Sequence, residues 1–346
     1  MSQPILISAY IQALEAAANA LYTCQSRALL VKRQAPAYHW LEPQQIAPFE
    51  ATQKSAWASA TQVLDKGIAA LITTVKANQG LLTSLSHIGA SLGDTAALAA
   101  LLQSNVARAS AHATELSSTV ALIKDQVDTL LPQLDALVHG EQGAVASGSV
   151  KVDTLKRDIE ALSKRLHEIN LQLIELARSQ GSLIGGWVTH TVKILPPVKA
   201  VAGPPGKGDE GMVIERIEVD VNAFAEASAQ AQALKAESDR VFKRLAGLYV
   251  SLFEQKASIA VTLALFQSIK DLAASLGRSL DKTNALDTLW RELAEGWSEK
   301  SFQQLLAERT ALVTGLQRIE AIGKELSGSG FVNRQVPVSI VHTQEA

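Results

Sequence analysis

Residues 152–176, VDTLKRDIEALSKRLHEINLQLIEL, place Val152, Leu155, Ile159, Leu162, Leu166, Ile169, Leu173 and Leu176 at alternating spacings of three and four. That recurrence holds one apolar stripe on one side of an α-helix and suits left-handed packing against a second helix. A matching stripe precedes it, formed by Leu116, Val120, Ile123, Val127, Leu130, Leu134 and Leu137. Between the two lies HGEQGAVASGS, residues 139–149, whose small residues suit a chain reversal. The pair predicts an antiparallel helical hairpin. Pro132 falls off the stripe, which predicts a kink rather than a break.

Proline placement extends this reading outward. Ten prolines occur in 346 residues, and the runs 49–131, 133–195 and 206–336 are free of proline, with Pro132 standing alone between the first two. Helices exclude proline from their interiors, whereas sheets and loops need it, with glycine, as punctuation. Aromatic residues are only 5% of a chain that is 47% apolar, which also argues against sandwiches and barrels. Helices are predicted over 4–34, 50–90, 95–139, 150–182, 222–277 and 283–327. The stretch APAYHWLEPQQIAPFE (35–50) reads as an ordered or extended connection. In the 222–277 helix, Leu234, Val241, Leu245, Leu248, Leu252, Ile259, Leu263 and Phe266 are expected on the buried side, and Ser279-Leu280-Asp281 is expected to end the rod. A helix of that length spans roughly 80 Å. The fold class is therefore all-α, an elongated antiparallel bundle of long helices.

Charge and chemistry exclude several function classes. Thirty-two basic and 34 acidic residues give a net charge of −2, scattered in both signs. No basic stripe with interleaved aromatics marks a nucleic-acid surface. Cys24 is the only cysteine, so neither an intrachain disulfide nor a multi-cysteine metal site is expected. The seven histidines are dispersed, and His167–Glu168 reads as a surface pair beside the stripe. GPPGKGDEG (203–211) lacks the spacing of a phosphate loop and reads as a loop tip. No catalytic, cofactor-binding or metal-ligating residue is predicted, and no enzymatic activity. The N-terminus lacks the basic start of a secretory signal, and no uncharged stretch reaches the roughly 20 residues of a membrane span.

Four features could carry a binding role. Residues 181–221 hold seven glycines, four prolines and two alternating runs, which predict a small irregular or β head. Within it Leu183, Ile184, Trp187, Val188, Val192, Ile194, Leu195 and Val198 gather beside Lys193 and Lys199. Indole and ammonium groups among aliphatic residues suit a membrane interface, so these eight are the candidate membrane or partner contacts. The alternating Val336, Val338 and Ile340 predict a short C-terminal β-tail packing near the head. Gly67–Ala107 carries only two charges, Lys76 and Asp94; its two helical arms are either buried on most sides or hidden until membrane contact. The N-terminal helix, with Ile5, Leu6, Ile7, Tyr10, Ile11, Leu14 and Leu21, offers the same choice between core packing and release. Trp290 and Trp297 are expected on one helical face.

The paired stripes, the 181–221 insertion and the tail FVNRQVPVSIV together resemble the α-helical pore-forming toxins of the cytolysin A type. That group includes the haemolysin BL and non-haemolytic enterotoxin components, the xenorhabdolysins and the motility-associated killing factor proteins. The resemblance implies a bundle of 1–180 with 222–330, a head of 181–221 and a tail of 331–346. It implies a soluble, secreted component that becomes a membrane-bound oligomer with companion toxin components at a target-cell membrane. Lys193, Lys199 and the PPGKGDEG loop make this head less apolar than those of the most membrane-active members, which implies dependence on partners. The alternative from another class is a non-lytic coiled-coil scaffold or secretion-associated adaptor.

Overall fold

The computed structural model describes residues 7–34, 41, 43–88, 95–139, 150–179, 187–195, 212–219, 229–308, 314–315, 317–322 and 339–342. Among these, the helices are α1 (Ile7–Arg33), α2 (Pro43–Gln62), α3 (Ile68–Ile88), α4 (Thr95–Asp128), α5 (Leu131–His139), α6 (Val150–Ser179), α7 (Ala229–Gln255), α8 (Ala257–Glu295) and α9 (Glu299–Ala307). The strands are β1 (Trp187–Leu195), β2 (Met212–Val219) and β3 (Ser339–His342). The fold is a bundle of long helices.

The chain forms two compact units. The first comprises Met1–Gln25, Gln62–Lys124 and Ser275–Phe331; the second comprises Ser26–Thr61, Asp125–Ala274 and Val332–Ala346. In the first, Leu14, Leu21, Leu71, Val75, Leu102, Val106, Leu116, Val120 and Leu286 form the core, each at most 1% exposed. Polar links run between its helices: Thr74 Oγ1 donates to the His112 carbonyl at 3.1 Å, Thr114 Oγ1 donates to Asp287 at 2.5 Å and Ser117 donates to Asn284. Ser298 caps α9 by accepting from the Ser301 amide at 3.3 Å. Ser298→Ala should cost about 1 kcal/mol, read as a lower urea midpoint.

The second unit contains the hairpin. Lys156 Nζ donates to the Val138 carbonyl at 3.4 Å and His139 Nε2 lies 3.2 Å from Glu160 Oε1, so α6 returns along α5. The stripe survives Pro132, but not as one kinked helix. Thr129 and Leu130 form a tightened turn in which the Leu130 amide bonds to Val127 at 3.0 Å, because proline has no N–H to continue the ladder. Past that turn Val138, not Leu137, is buried.

Three further boundaries differ from expectation. The 35–50 connection is partly helix: α2 starts at Pro43, where a missing N–H costs nothing, and it tolerates Pro48 inside because Phe49, Ala56 and Ala60 are buried. Its side chains also bond carbonyls at the end of α1: Trp57 Nε1 donates to Val31 O at 3.1 Å and Gln53 Nε2 to Gln34 O at 3.3 Å. A π-helical turn, Val63–Gly67, then separates α2 from α3. The predicted 222–277 rod breaks at Lys256 instead of Ser279. Leu245 and Tyr249 of α7 line the same cavity as Gln267 and Asp271 of α8, although a straight helix would hold Tyr249 and Asp271 roughly 33 Å apart. The chain therefore doubles back at Lys256. The buried side of α7 is accordingly shifted: Phe242 and Tyr249 are buried, whereas Leu234, Val241 and Leu248 are only half-buried. Ser279 sits inside α8, fully buried, with its Oγ 3.1 Å from Cys24 Sγ.

Candidate membrane- and partner-contact site

Trp187, Val188, Val192, Ile194 and Leu195 all lie on β1; Leu183, Ile184 and Val198 lie outside the described residues. β1 is the central strand of a sheet ordered β2-β1-β3, antiparallel to β2 and parallel to β3. β2 runs beside α6 and α7. Successive strand residues belong to opposite faces, so the sheet divides the candidate set. Val188, Val192 and Ile194 share one face; Trp187 and Leu195 belong to the other.

The register concentrates apolar residues at one end of the first face. Ile194 pairs with Met212 and Val341, and Val192 pairs with Ile214 and Ser339. At the other end His190 pairs with Arg216 and Val188 with Glu218. Met212 and Val341 were invisible as neighbours of Ile194 in the sequence, since only the strand register brings residues so far apart in the chain to one position.

The other candidate surfaces resolve differently. Ile5 and Leu6 lie outside the described residues, while Ile11, Leu14 and Leu21 of α1 are buried. Here α1 packs inward. Its Glu15, 4% exposed, is held by Arg318, with Nε 2.6 Å from Oε1 and Nη2 donating to Oε2 at 2.7 Å. Tyr10 packs against Trp290 with ring centroids 4.6 Å apart and the planes tilted by 45°. Burial, then Glu292 and Glu308, push its phenol up from 10.0 to about 12. The folded state thus binds this proton more tightly, so the associated stability is complete below pH 10 and is lost as pH rises through 12. Tyr10→Phe should remove a step near pH 12 from the phenolate absorbance titration.

The weakly charged arms, α3 and the start of α4, are one-sided rather than buried on most sides. Leu71, Val75, Leu102 and Val106 face inward, but Ala69, Thr73, Gly80, Ala100 and Ser104 are exposed and Leu101 is 50% exposed. Small residues let an uncharged face meet water with little apolar area. Trp290 and Trp297 do not share a helical face, because α8 ends at Glu295. Among the described residues α8 alone is long and apolar enough by composition to cross a membrane, and 83% of its most apolar window is buried. It is a core helix in this state. Among the described residues no group of three or more His, Cys, Asp or Glu could hold a metal ion.

No protein-family model matches the chain, and no curated protein matches it in sequence. Solved structures do match, over nearly the full length. Soluble SmhA, of the tripartite α-pore-forming toxin Smh from Serratia marcescens, aligns with a TM-score of 0.73 at 13% identity, covering 97% of each chain. Soluble AhlB, of the tripartite α-pore-forming toxin AHL from Aeromonas hydrophila, gives 0.66 at 12% identity, covering 97% of this chain and 95% of that one. The AhlB pore gives 0.52 at 14% identity, covering 93% and 98%. The chain has the helical-bundle fold of these proteins.

Proposed function

We propose that this chain is one component of a bacterial α-pore-forming cytolysin. The observation that carries the reading is the fold likeness to SmhA and AhlB, which runs over nearly the full length of both chains. Likeness to soluble AhlB exceeds likeness to the AhlB pore, which supports a soluble form that rearranges at the membrane. The mechanism is non-enzymatic. Residues 181–221 act as a head and 331–346 as a tail beside it, on a bundle of 1–180 and 222–330. Leu183, Ile184, Trp187, Val188, Val192, Ile194, Leu195 and Val198 contact lipid or a partner's head. Companion toxin components complete an oligomer, and the chain acts as a secreted protein that is soluble before it reaches the target-cell membrane.

An amphipathic surface can exchange burial in protein for burial in lipid at similar free energy, because both remove the same apolar area from water. The partners supply what this head's charges withhold. Dye release from liposomes and erythrocyte lysis, measured with the chain alone and with proteins encoded beside it, test the reading. Leakage in a combination that fails when this chain is omitted supports it. No leakage and no membrane pelleting in any combination would leave the scaffold alternative.

A further inference from the structure

The inner side of α6 holds a polar line at seven-residue spacing: Lys156, Ser163 and Asn170 are all buried. The first two are satisfied, Lys156 by the Val138 carbonyl and Ser163 by Tyr249. Asn170 is different. It is 1% exposed, and among the described residues neither its Nδ2 nor its Oδ1 has a hydrogen-bond partner. It lines a cavity of about 30 Å³ whose walls come from α1, α6, α7 and α8. Gln267 lines the same cavity, 7% exposed, and its Nε2 is likewise unpartnered among the described residues. Arg27, His167 and Asp271 also border it. Asp271 Oδ2 lies 3.9 Å from Arg27 Nη1 and Asp271 Oδ1 lies 3.7 Å from His167 Nδ1. His167 is therefore an interior residue, 12% exposed, and not the surface neighbour of Glu168 that its sequence context suggests.

A buried amide with no partner forfeits the hydrogen bonds that water gave it in the unfolded chain. Polar cavities with two to four available partners hold ordered water, whereas apolar ones of similar size stay dry. This volume accommodates one or two waters. We infer that the cavity is a water site in which ordered water bridges Asn170 and Gln267, and that this wet layer is where α6 and α8 part first. The layers flanking it are apolar: Ile159 and Leu173 on α6, and Leu263, Leu272 and Leu276 on α8 are each at most 3% exposed. Separating apolar layers returns hydrocarbon to water, while separating a hydrated layer exchanges one water contact for another. Local opening is cheapest where few buried apolar contacts are lost. Use of that opening in a soluble-to-membrane conversion rests on the toxin-component reading; the opening itself does not.

Two measurements on the full chain test the inference. A crystal structure of the soluble form that resolves water should place at least one within hydrogen-bond distance of both Asn170 and Gln267. A dry cavity, or a direct protein partner for both amides, overturns the water site. Native-state hydrogen exchange should find residues 163–170 and 264–271 exchanging through a lower-energy opening than their flanks, slowed about tenfold or more by Asn170→Leu, a change of about 1.4 kcal/mol. Unchanged or faster exchange in a folded Asn170→Leu overturns the weak layer. Gln267→Leu reads the same quantity if Asn170→Leu does not fold. Slowed exchange with slowed liposome leakage links the layer to conversion; slowed exchange where wild type neither leaks nor pellets with membranes in any combination with its companions sinks the toxin reading and leaves this inference standing.

Discussion

Replacing Arg318 with alanine should lower unfolding stability by about 2–3 kcal/mol, seen as a fall in urea midpoint at unchanged slope. The reason is the partner left behind. Glu15 lies at 4% exposure in α1; its Oε2 accepts from Arg318 Nη2 at 2.7 Å and its Oε1 lies 2.6 Å from Arg318 Nε as an ion-pair contact. Without that guanidinium, a carboxylate remains desolvated, which costs more than the pair itself contributes. Arg318 is 43% exposed, so the estimate sits below the cost of breaking a fully buried pair. Glu15→Gln combined with Arg318→Ala should recover part of the loss, because a neutral amide is cheaper to bury than a carboxylate. A single-variant effect below about 0.5 kcal/mol would place the pair among ordinary surface contacts.

The second large effect concerns the sheet. Ile194→Asp should reduce pelleting with liposomes roughly 30- to 150-fold, the loss of about 2–3 kcal/mol of apolar transfer at one side chain. The mutated position shares its register with Met212 and Val341 and its face with Val192 and Ile214. Trp187→Asp tests the opposite face, where the register places Val219. A strong effect at 194 and a weak one at 187 would assign contact to the Ile194 face; the reverse would assign it to the tryptophan face. Helical circular dichroism must stay unchanged in both variants. Equal, wild-type membrane binding in both would remove the sheet from the mechanism.

Legibility in the sequence followed the physics of each signal. The stripes at 116–134 and 152–176 were readable because side-chain periodicity is a local property of a helix. Their partners were not. Lys156, Ser163 and Asn170 are buried on α6 although their residue types ordinarily stay exposed; Leu155 and Leu162, apolar and in register, are only half-buried. A helix covered by several neighbours buries a wider arc than one two-position stripe, and sequence spacing cannot say which flank the extra neighbour covers. The reversal at Lys256 was hidden for a related reason. No proline or glycine marks it, and the backbone bonds from Lys256 to Leu252 and from Ala260 to Lys256 persist through the bend. At Ser279 the opposite happened: Ser279-Leu280-Asp281, which looks like a terminus, continues the helix, with Ser279 Oγ held against Cys24 Sγ. In the candidate site, the apolar content of β1 was visible in the sequence, but its division between two faces depends on the register with β2 and β3.

The most direct test of the central claim follows the oligomeric state of the fluorescently labelled full chain by electron microscopy and sedimentation, with liposomes and the proteins encoded beside it. The account predicts a soluble species without lipid and ring-shaped, membrane-bound oligomers containing the label when companions and lipid are both present. A chain that stays in the supernatant in its original size under every combination would contradict it.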